Sequence, residues 1–96
     1  MRLKDQIAIV TGAGRNIGED VSKLFVAEGA KVAVVDLDPG RGSSVAADIN
    51  AKNPGKAISV VCDVANAASV DSMVQTVVKQ FGGVDILVNN AAWTDH

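Results

Sequence analysis

The sequence predicts an α/β fold of the doubly wound class, in which helices cover a parallel sheet. Three observations carry this prediction. Short apolar runs alternate with segments of helical periodicity, in the order β-α-β-α-β-α-β. Of the 96 residues, 48% are hydrophobic and only 3% are aromatic, so aliphatic side chains must fill the core, as in parallel sheets. A glycine-rich turn, from Thr11 to Gly18, follows the first apolar run.

Apolar spacing defines the first two strands and the helix between them. The run from Ile7 to Val10 predicts a buried strand. Four apolar residues then recur at helical spacing, and we expect them to share the buried face of the first helix: Ile17, Val21, Leu24 and Phe25. Gly29 suits the position just past that helix, where a left-handed backbone is needed. The run from Lys31 to Val35 predicts the second strand.

The second helix is delimited by a cap and a turn. Asp38 is typical of a residue that caps a helix N-terminus, and Pro39 fits the first turn, where a missing N–H is harmless. Gly40 and Gly42 lower the helical propensity of this segment. The segment Asn53-Pro54-Gly55 is a strong turn signal, so the helix is predicted to end there.

Two further strands and one helix complete the pattern. The residues from Ala57 to Cys62 predict the third strand, and Asn66 predicts the cap of the third helix. The apolar face of this helix is expected to contain Val70, Val74, Val77 and Phe81. Gly82-Gly83 closes the helix, and Val84 to Val88 predicts the fourth strand. One helix in each crossover predicts parallel strands with right-handed connections, the first part of a Rossmann-type fold with four strands and three helices.

Composition and charge exclude several classes of function. The net charge is −2 and no basic run is present, which argues against nucleic acid or an anionic membrane surface as a partner. No apolar run approaches the roughly 20 residues that span a bilayer, and the N-terminus lacks the features of a secretory peptide. Cys62 is the single cysteine, which fits a small buried side chain in a reducing compartment. These observations predict a cytoplasmic location, and we expect no metal site.

The glycine-rich turn predicts a phosphate site. Free backbone N–H groups and the helix dipole stabilise a pyrophosphate at a helix N-terminus. The backbone must approach the phosphates closely, so side chains in the turn must be small. Gly12 permits the tight exit from the strand, and Gly18 permits close packing of the helix. Glycine also serves ordinary turns, but its position between a buried strand and an amphipathic helix strengthens the prediction.

Asp36 lies eighteen residues past Gly18, at the end of the second strand. This is the spacing of the acidic residue that binds an adenine ribose in dinucleotide sites. Its carboxylate would repel a 2′-phosphate at a cost of roughly several kcal/mol, which favours NAD over NADP. Arg15 and Arg41 are competing evidence, because either side chain could pair with a 2′-phosphate. A strand-end residue that merely caps a turn is the alternative for Asp36.

Three segments together resemble the short-chain dehydrogenase/reductase family. The turn resembles the family's T-G-x-x-x-G-x-G, with Asn16 at its middle glycine; asparagine tolerates a left-handed backbone best among non-glycine residues. Asp63-Val64 resembles the family's adenine-binding pair, although capping of the third helix explains Asp63 equally well. The segment from Asp85 to Ala92 resembles D-x-L-V-N-N-A-G, in which the asparagines tie the central strands together.

The resemblance implies an oxidoreductase that transfers hydride between a nicotinamide and a small alcohol or ketone. The cofactor-binding residues carried over are Gly12, Arg15, Asn16, Ile17, Gly18, Asp36, Asp63, Val64, Asn90 and Ala91. The family's catalytic serine, tyrosine, lysine and asparagine lie in its second half, and this chain has no tyrosine, so no catalytic residue is assigned. We therefore expect residues 1–96 to be the N-terminal cofactor-binding part of a single-domain enzyme whose catalytic half is absent here.

The resemblance also implies a homo-oligomer for the intact enzyme and no activity for the 96 residues alone. Two alternatives stay open. A complete, non-catalytic dinucleotide-binding or regulatory module would need only the residues present, although its fourth strand would form a bare apolar sheet edge. An FAD- or nucleotide-binding half of another doubly wound protein is the weaker alternative, because the paired asparagines argue against it.

Overall fold

The structure, a computed structural model, describes residues 2–12 and 16–90. The predicted order of elements is confirmed: β1 Ile7–Thr11, α1 Asn16–Ala27, β2 Lys31–Asp36, α2 Pro39–Lys52, β3 Ala57–Val61, α3 Ala67–Phe81 and β4 Ile86–Asn89. The boundaries differ from the predicted ones by one or two residues. Strand β3 ends just before Cys62, and β4 begins two residues after Val84. Among the described helices, none has the length and apolar character needed to span a membrane.

The strands form one parallel sheet in the order β3-β2-β1-β4. Strand β1 therefore lies between β2 and β4, and the chain crosses from one edge of the sheet to the other through α3. This reversal of strand order next to β1 is the topological switch point of a doubly wound sheet. In such folds ligands bind in the crevice that opens there, beyond the carboxyl ends of the strands.

Two separate cores show that helices cover both faces of the sheet. On one face, β1 and β2 pack against α1 and α2, with Val10, Val34 and Ile49 in the core. On the other face, Ile9 and Val35 pack with residues of α3. Alternate residues of β1 and β2 thus enter opposite cores, and these strands are almost continuously apolar, as expected for strands buried on both sides.

The predicted buried face of α1 is partly wrong. Ile17 and Leu24 are 68% and 58% exposed. Val21 and Phe25 are half-buried against the core, and the fully buried positions are Gly18, Ser22 and Val26. The Ser22 hydroxyl donates a hydrogen bond of 2.8 Å to the Gly18 carbonyl, so burial leaves it satisfied. Small residues let the helix lie close to the sheet, and a pattern based on apolar residues alone does not detect such a stripe.

The predicted caps are confirmed. The Asp38 carboxylate accepts hydrogen bonds from the backbone N–H groups of Gly40 and Arg41 at 2.8 and 3.1 Å. The Asn66 side chain caps α3 in the same way, and Gly82 ends α3 with a left-handed backbone at φ 97°. Gly29, just past α1, has φ 100°. Local sequence signals therefore set the ends of the elements.

The predicted apolar face of α3 is confirmed with one addition. Val77 is fully buried, and the other predicted residues are half-buried against the same core. Met73 is also buried there, although the sequence pattern did not single it out. The helix therefore covers the second face of the sheet through a continuous apolar stripe.

Candidate functional site

A cleft of about 490 Å³ opens beyond the carboxyl ends of the strands. It is lined by Gly12, Asn16, Ile17, Val35, Asp36, Leu37, Cys62, Asp63, Val64 and Asn90. Apart from Gly18, every predicted cofactor-binding residue in the described part of the chain lines this cleft. Arg15 and Ala91, which were also predicted, lie outside the described residues. The fold thus brings together residues that are up to 78 positions apart in the sequence.

Gly12 and Asn16, the described residues on either side of residues 13–15, both have a left-handed backbone. Gly12 has φ 65°, and Asn16 has φ 54°. The left-handed conformation of Asn16 confirms that asparagine can stand where the resembled motif has glycine. Helix α1 begins at Asn16, so the positive end of its dipole and the N–H groups of its first turn lie at the cleft. Gly18 is buried under this turn, where it supports the packing of α1 rather than lining the cleft.

Asp36 lies at the end of β2 and lines the cleft while also closing a turn. Its Oδ1 accepts a hydrogen bond of 2.9 Å from the Asp38 backbone N–H. The turn-capping interpretation and the cleft position are therefore both correct. Arg41, by contrast, is not among the residues that line the cleft. Its Nε lies 3.7 Å from the Asp38 carboxylate in an exposed ion pair, which holds the guanidinium at the α2 N-terminus.

Asp63 makes the capping hydrogen bonds that one of its two interpretations predicts, and it also lines the cleft. Its Oδ1 accepts a hydrogen bond of 3.0 Å from Ala65 N–H, and its own N–H donates to the Ser69 hydroxyl at 3.0 Å. These bonds shape the entry to α3, as the capping interpretation requires. Asp63 lines the cleft, as does the next residue, Val64. The capping bonds therefore leave Asp63 at the wall of the cleft.

Besides Ile17, two apolar side chains in the cleft are exposed, and one of these two was missed in the sequence. Leu37 is 67% exposed and Val64 is 40% exposed, and both line the cleft. They follow β2 and β3 respectively, and these strands are neighbours in the sheet. A large apolar residue directly after Asp36, outside the buried run of β2, was the available signal for Leu37. Exposed apolar surface inside a cleft suits the face of a planar ring.

A pair of amide side chains joins the ends of β1 and β4. The Thr11 hydroxyl lies 3.0 Å from Asn89 Oδ1 and 3.3 Å from the Val88 carbonyl oxygen, so it donates to one of these two acceptors at a time. Asn90 Nδ2 donates to the Gly12 carbonyl at 3.3 Å. The expectation that adjacent asparagines tie the central strands together is confirmed. These bonds hold Thr11 and Gly12 against the end of β4, and Gly12 and Asn90 line the cleft.

Two further residues that stood out in the sequence have structural roles. Asp85 lies at the amino end of the sheet, where its carboxylate accepts a hydrogen bond of 2.9 Å from Ile7 N–H and its own N–H donates to the Ile7 carbonyl. Cys62 is a buried free cysteine in the core under α3, as its small apolar character predicts. Among the described residues, no cluster of His, Cys, Asp or Glu is suited to hold a metal ion.

Comparison with known proteins identifies the family. A family model for short chain dehydrogenases matches residues 6–96. The chain belongs to this family. A galactitol 2-dehydrogenase from Agrobacterium fabrum is 45% identical over 95 residues, which is 99% of this chain and 36% of that protein. A D-threitol dehydrogenase from Mycolicibacterium smegmatis is 39% identical over 90 residues, which is 94% of this chain and 34% of that protein.

Solved structures of short-chain dehydrogenases share the fold of this chain. A hydroxysteroid dehydrogenase from Escherichia coli has a TM-score of 0.85 at 32% identity, and the match covers 92% of this chain and 37% of that one. A 3-ketoacyl-(acyl-carrier-protein) reductase from Brucella melitensis, complexed with NADH, has a TM-score of 0.83 at 39% identity over 88% of this chain and 34% of that one. The chain therefore spans about a third of the length of the relatives that it matches.

Proposed function

We propose that this chain is the cofactor-binding part of an NAD-dependent dehydrogenase that transfers hydride between nicotinamide and an alcohol or carbonyl carbon. One observation carries the proposal. A single cleft at the switch point of the sheet collects the left-handed Gly12, the N-terminus of α1 and the carboxylate that ends β2. These groups would supply a phosphate site and a ribose site in the same crevice, as an adenine dinucleotide requires.

The phosphate end of the cleft fits the cofactor through its backbone. Gly12 leaves β1 at φ 65°, Asn16 begins α1 at φ 54°, and both residues line the cleft. The dipole of α1 and the N–H groups of its first turn, at Asn16, Ile17 and Gly18, would stabilise the pyrophosphate. Arg15, from the intervening turn, would add a positive charge.

The adenine end of the cleft fits through two exposed apolar side chains. Leu37 and Val64 would pack against the faces of the adenine ring, which would remove their apolar surface from water. The carboxylate of Asp63 would accept a hydrogen bond from the exocyclic amine. Asn90, which lines the cleft, and Ala91, the next residue in the sequence, would lie below the nicotinamide ribose.

Asp36 supports NAD rather than NADP as the cofactor. Its carboxylate lines the cleft, and the Asp38 N–H fixes it from one side at 2.9 Å. Ribose hydroxyls are donors to such a group, whereas a 2′-phosphate would meet a like charge. Arg41 is engaged with Asp38 at the start of α2, which weakens the argument for a basic 2′-phosphate pocket on that side.

The bound nicotinamide supplies hydride acceptance or donation, and the residues of this chain bind and orient it. The groups that exchange the substrate proton would come, by family resemblance, from a serine, a tyrosine and a lysine in the other half of the intact enzyme. The exposed apolar edge supports a larger sheet, because β4 pairs only with β1 in the described chain and Leu87 is 64% exposed.

We infer a polyol as the substrate class, because the relatives include galactitol and D-threitol dehydrogenases.

Calorimetric titration of the full-length gene product with NAD and NADP tests the cofactor proposal. We expect tighter binding of NAD. A matched pair of variants serves as the control, because Gly12 and Gly55 both have a positive φ and only Gly12 lines the cleft. Gly12→Ala should weaken NAD binding, whereas Gly55→Ala should strain the backbone by a similar amount and leave binding intact. If neither variant loses NAD binding, the proposed phosphate site is contradicted.

Reduction of NAD by galactitol, sorbitol and D-threitol, followed at the absorbance of NADH, tests the reaction. Turnover with at least one polyol is the expected result. Binding of NAD without turnover on any alcohol or carbonyl compound would instead favour the non-catalytic module. No binding of either dinucleotide would reject the proposed function as a whole.

A further inference from the structure

We propose that Gly42, in the first turn of α2, is a positioning residue that sets the direction of the Asp36 carboxylate and thereby the preference for NAD over NADP. The inference rests on the proposed function, because it concerns the carboxylate assigned to the adenine ribose. Gly42 itself does not line the cleft. It would act through Asp36, by allowing α2 to lie directly on the ends of β2 and β3.

A side chain at Gly42 would meet atoms of both β2 and β3. A Cβ built there would lie 2.9 Å from the Ser59 hydroxyl oxygen, a distance that requires something to move. The same Cβ would lie 3.7 Å from Asp36 Cβ and 3.7 Å from the Val34 carbonyl oxygen. Val34 and Ser59 are partners in the β2–β3 ladder. The backbone of α2 therefore rests on the sheet at the point where Asp36 leaves it.

Backbone conformation does not explain why glycine occupies this position. Gly42 lies inside α2 and does not share the positive φ of Gly12, Gly29, Gly55 and Gly82. Glycine in a helix interior costs about 1 kcal/mol relative to alanine. At Gly83, by contrast, an added Cβ would meet nothing within 4 Å. The close contact with β2 and β3 is therefore the feature of Gly42 that offsets its cost to the helix.

Asp36 is connected to α2 on two sides. Its Cβ is one of the atoms that a Gly42 side chain would contact, and its Oδ1 accepts the hydrogen bond from Asp38 N–H. Asp38 in turn caps α2 through Gly40 N–H and Arg41 N–H. An outward shift of α2 would move the Asp38 cap and release the contact with Asp36 together. Because hydrogen bonds weaken steeply with distance and angle, a small displacement of the carboxylate would weaken its bonds to ribose.

The test compares Gly42→Val with Ser44→Val in the full-length gene product. Ser44 is exposed in the same helix, so its variant has the same β-branched residue without contact with the sheet. Dissociation constants for NAD and NADP and the thermal midpoint are measured for each. We expect Gly42→Val to weaken NAD binding by roughly tenfold or more and NADP binding much less, because ribose hydrogen bonding depends on the Asp36 position. Ser44→Val should leave the NAD-to-NADP preference of the parent unchanged.

A second pair keeps the proposal testable if Gly42→Val does not fold. Gly42→Ala introduces only the Cβ, and Ser59→Ala removes the hydroxyl oxygen that this Cβ would meet at 2.9 Å. We expect Gly42→Ala to lower the NAD-to-NADP preference and the double variant to restore it, as a double-mutant cycle for two contacting residues requires.

The outcomes separate the two proposals. If the parent binds NAD preferentially but Gly42→Val and Gly42→Ala keep the parent preference, the role of Gly42 is overturned and the proposed function stands. Equal weakening for both dinucleotides in folded variants would likewise overturn it, since that indicates general damage to the cleft. If the parent binds neither dinucleotide, the proposed function itself fails.

Discussion

Replacement of Asp36 is the most direct test of cofactor choice. Asp36→Ala removes the whole carboxylate, including the Oδ1 that accepts the 2.9 Å bond from Asp38 N–H. Asp36→Asn is nearly isosteric and keeps an oxygen acceptor for that bond, so it removes the charge alone. Comparison of the two variants therefore separates the effect of charge on nucleotide choice from the effect of a loosened α2 cap.

The expected magnitudes follow from the position of Asp36. A hydrogen bond to a charged acceptor contributes about 1.5–3 kcal/mol, so loss of the ribose bonds should weaken NAD binding by roughly 10- to 150-fold. Asp36 is half-buried at the cleft, where an effective dielectric constant of about 20 applies. A unit charge on the Asp36 carboxylate about 5 Å from one on a 2′-phosphate then gives about 3 kcal/mol of repulsion before salt screening. Both variants remove this repulsion.

The assay is calorimetric titration of the full-length gene product with NAD and NADP at matched ionic strength. Asp36→Ala and Asp36→Asn should both lose affinity for NAD and gain affinity for NADP. Asp48→Asn removes the same charge from an exposed position of α2 outside the cleft, so it controls for net charge and should change neither constant. Equal losses of NAD and NADP affinity at position 36 would refute the ribose assignment.

Three further predictions concern stability and activity. Thr11→Val removes the hydroxyl hydrogen bond to the end of β4 at nearly constant volume. We expect the free energy of unfolding to fall by about 1–2 kcal/mol and the melting temperature to fall by about 2–8 °C in calorimetry. An unchanged melting temperature would count against a stabilising bond between β1 and β4. Asn16→Ala should lower the free energy of unfolding by about 1–2 kcal/mol, because alanine is strained at φ 54°, whereas Asn16→Gly should not destabilise the protein. Equal melting temperatures for the two variants would argue against the left-handed backbone at this position. The 96 residues alone should show no NADH formation with any alcohol, and measurable turnover would contradict the assignment of catalysis to the other half.

The element order and most element ends could be predicted from the sequence, because the signals are local. Asp38, Asn66 and Gly82 act on residues within one turn of themselves, and strand-like runs of β1 and β2 differ clearly from the helical spacing of α3. Gly12 and Asp36 followed from the glycine-rich turn and the spacing after it, whereas Asp63, Val64 and Asn90 were carried over from the family resemblance. The conformation of Asn16 also followed from a property of the residue itself.

The errors concern contacts between elements. Ile17 and Leu24 were expected to be buried, but the close approach of α1 to the sheet selects Gly18 and Ser22 instead. The packing reason for Gly42 depends on Ser59, a residue of another strand, and no pattern within α2 reveals it. Such information is tertiary, because it exists only after the helices have docked on the sheet.

The hydrogen bonds of Asn89 and Asn90 to Thr11 and Gly12 join residues 78 positions apart. Contacts of such sequence separation require the closure of a long loop, and folds rich in them fold more slowly. On the ribosome, a nascent chain that has not yet released its ninetieth residue lacks this closure. The proposed coenzyme site is therefore incomplete until β4 has docked, and under that proposal a dinucleotide present during synthesis would stabilise the chain only from that stage onward.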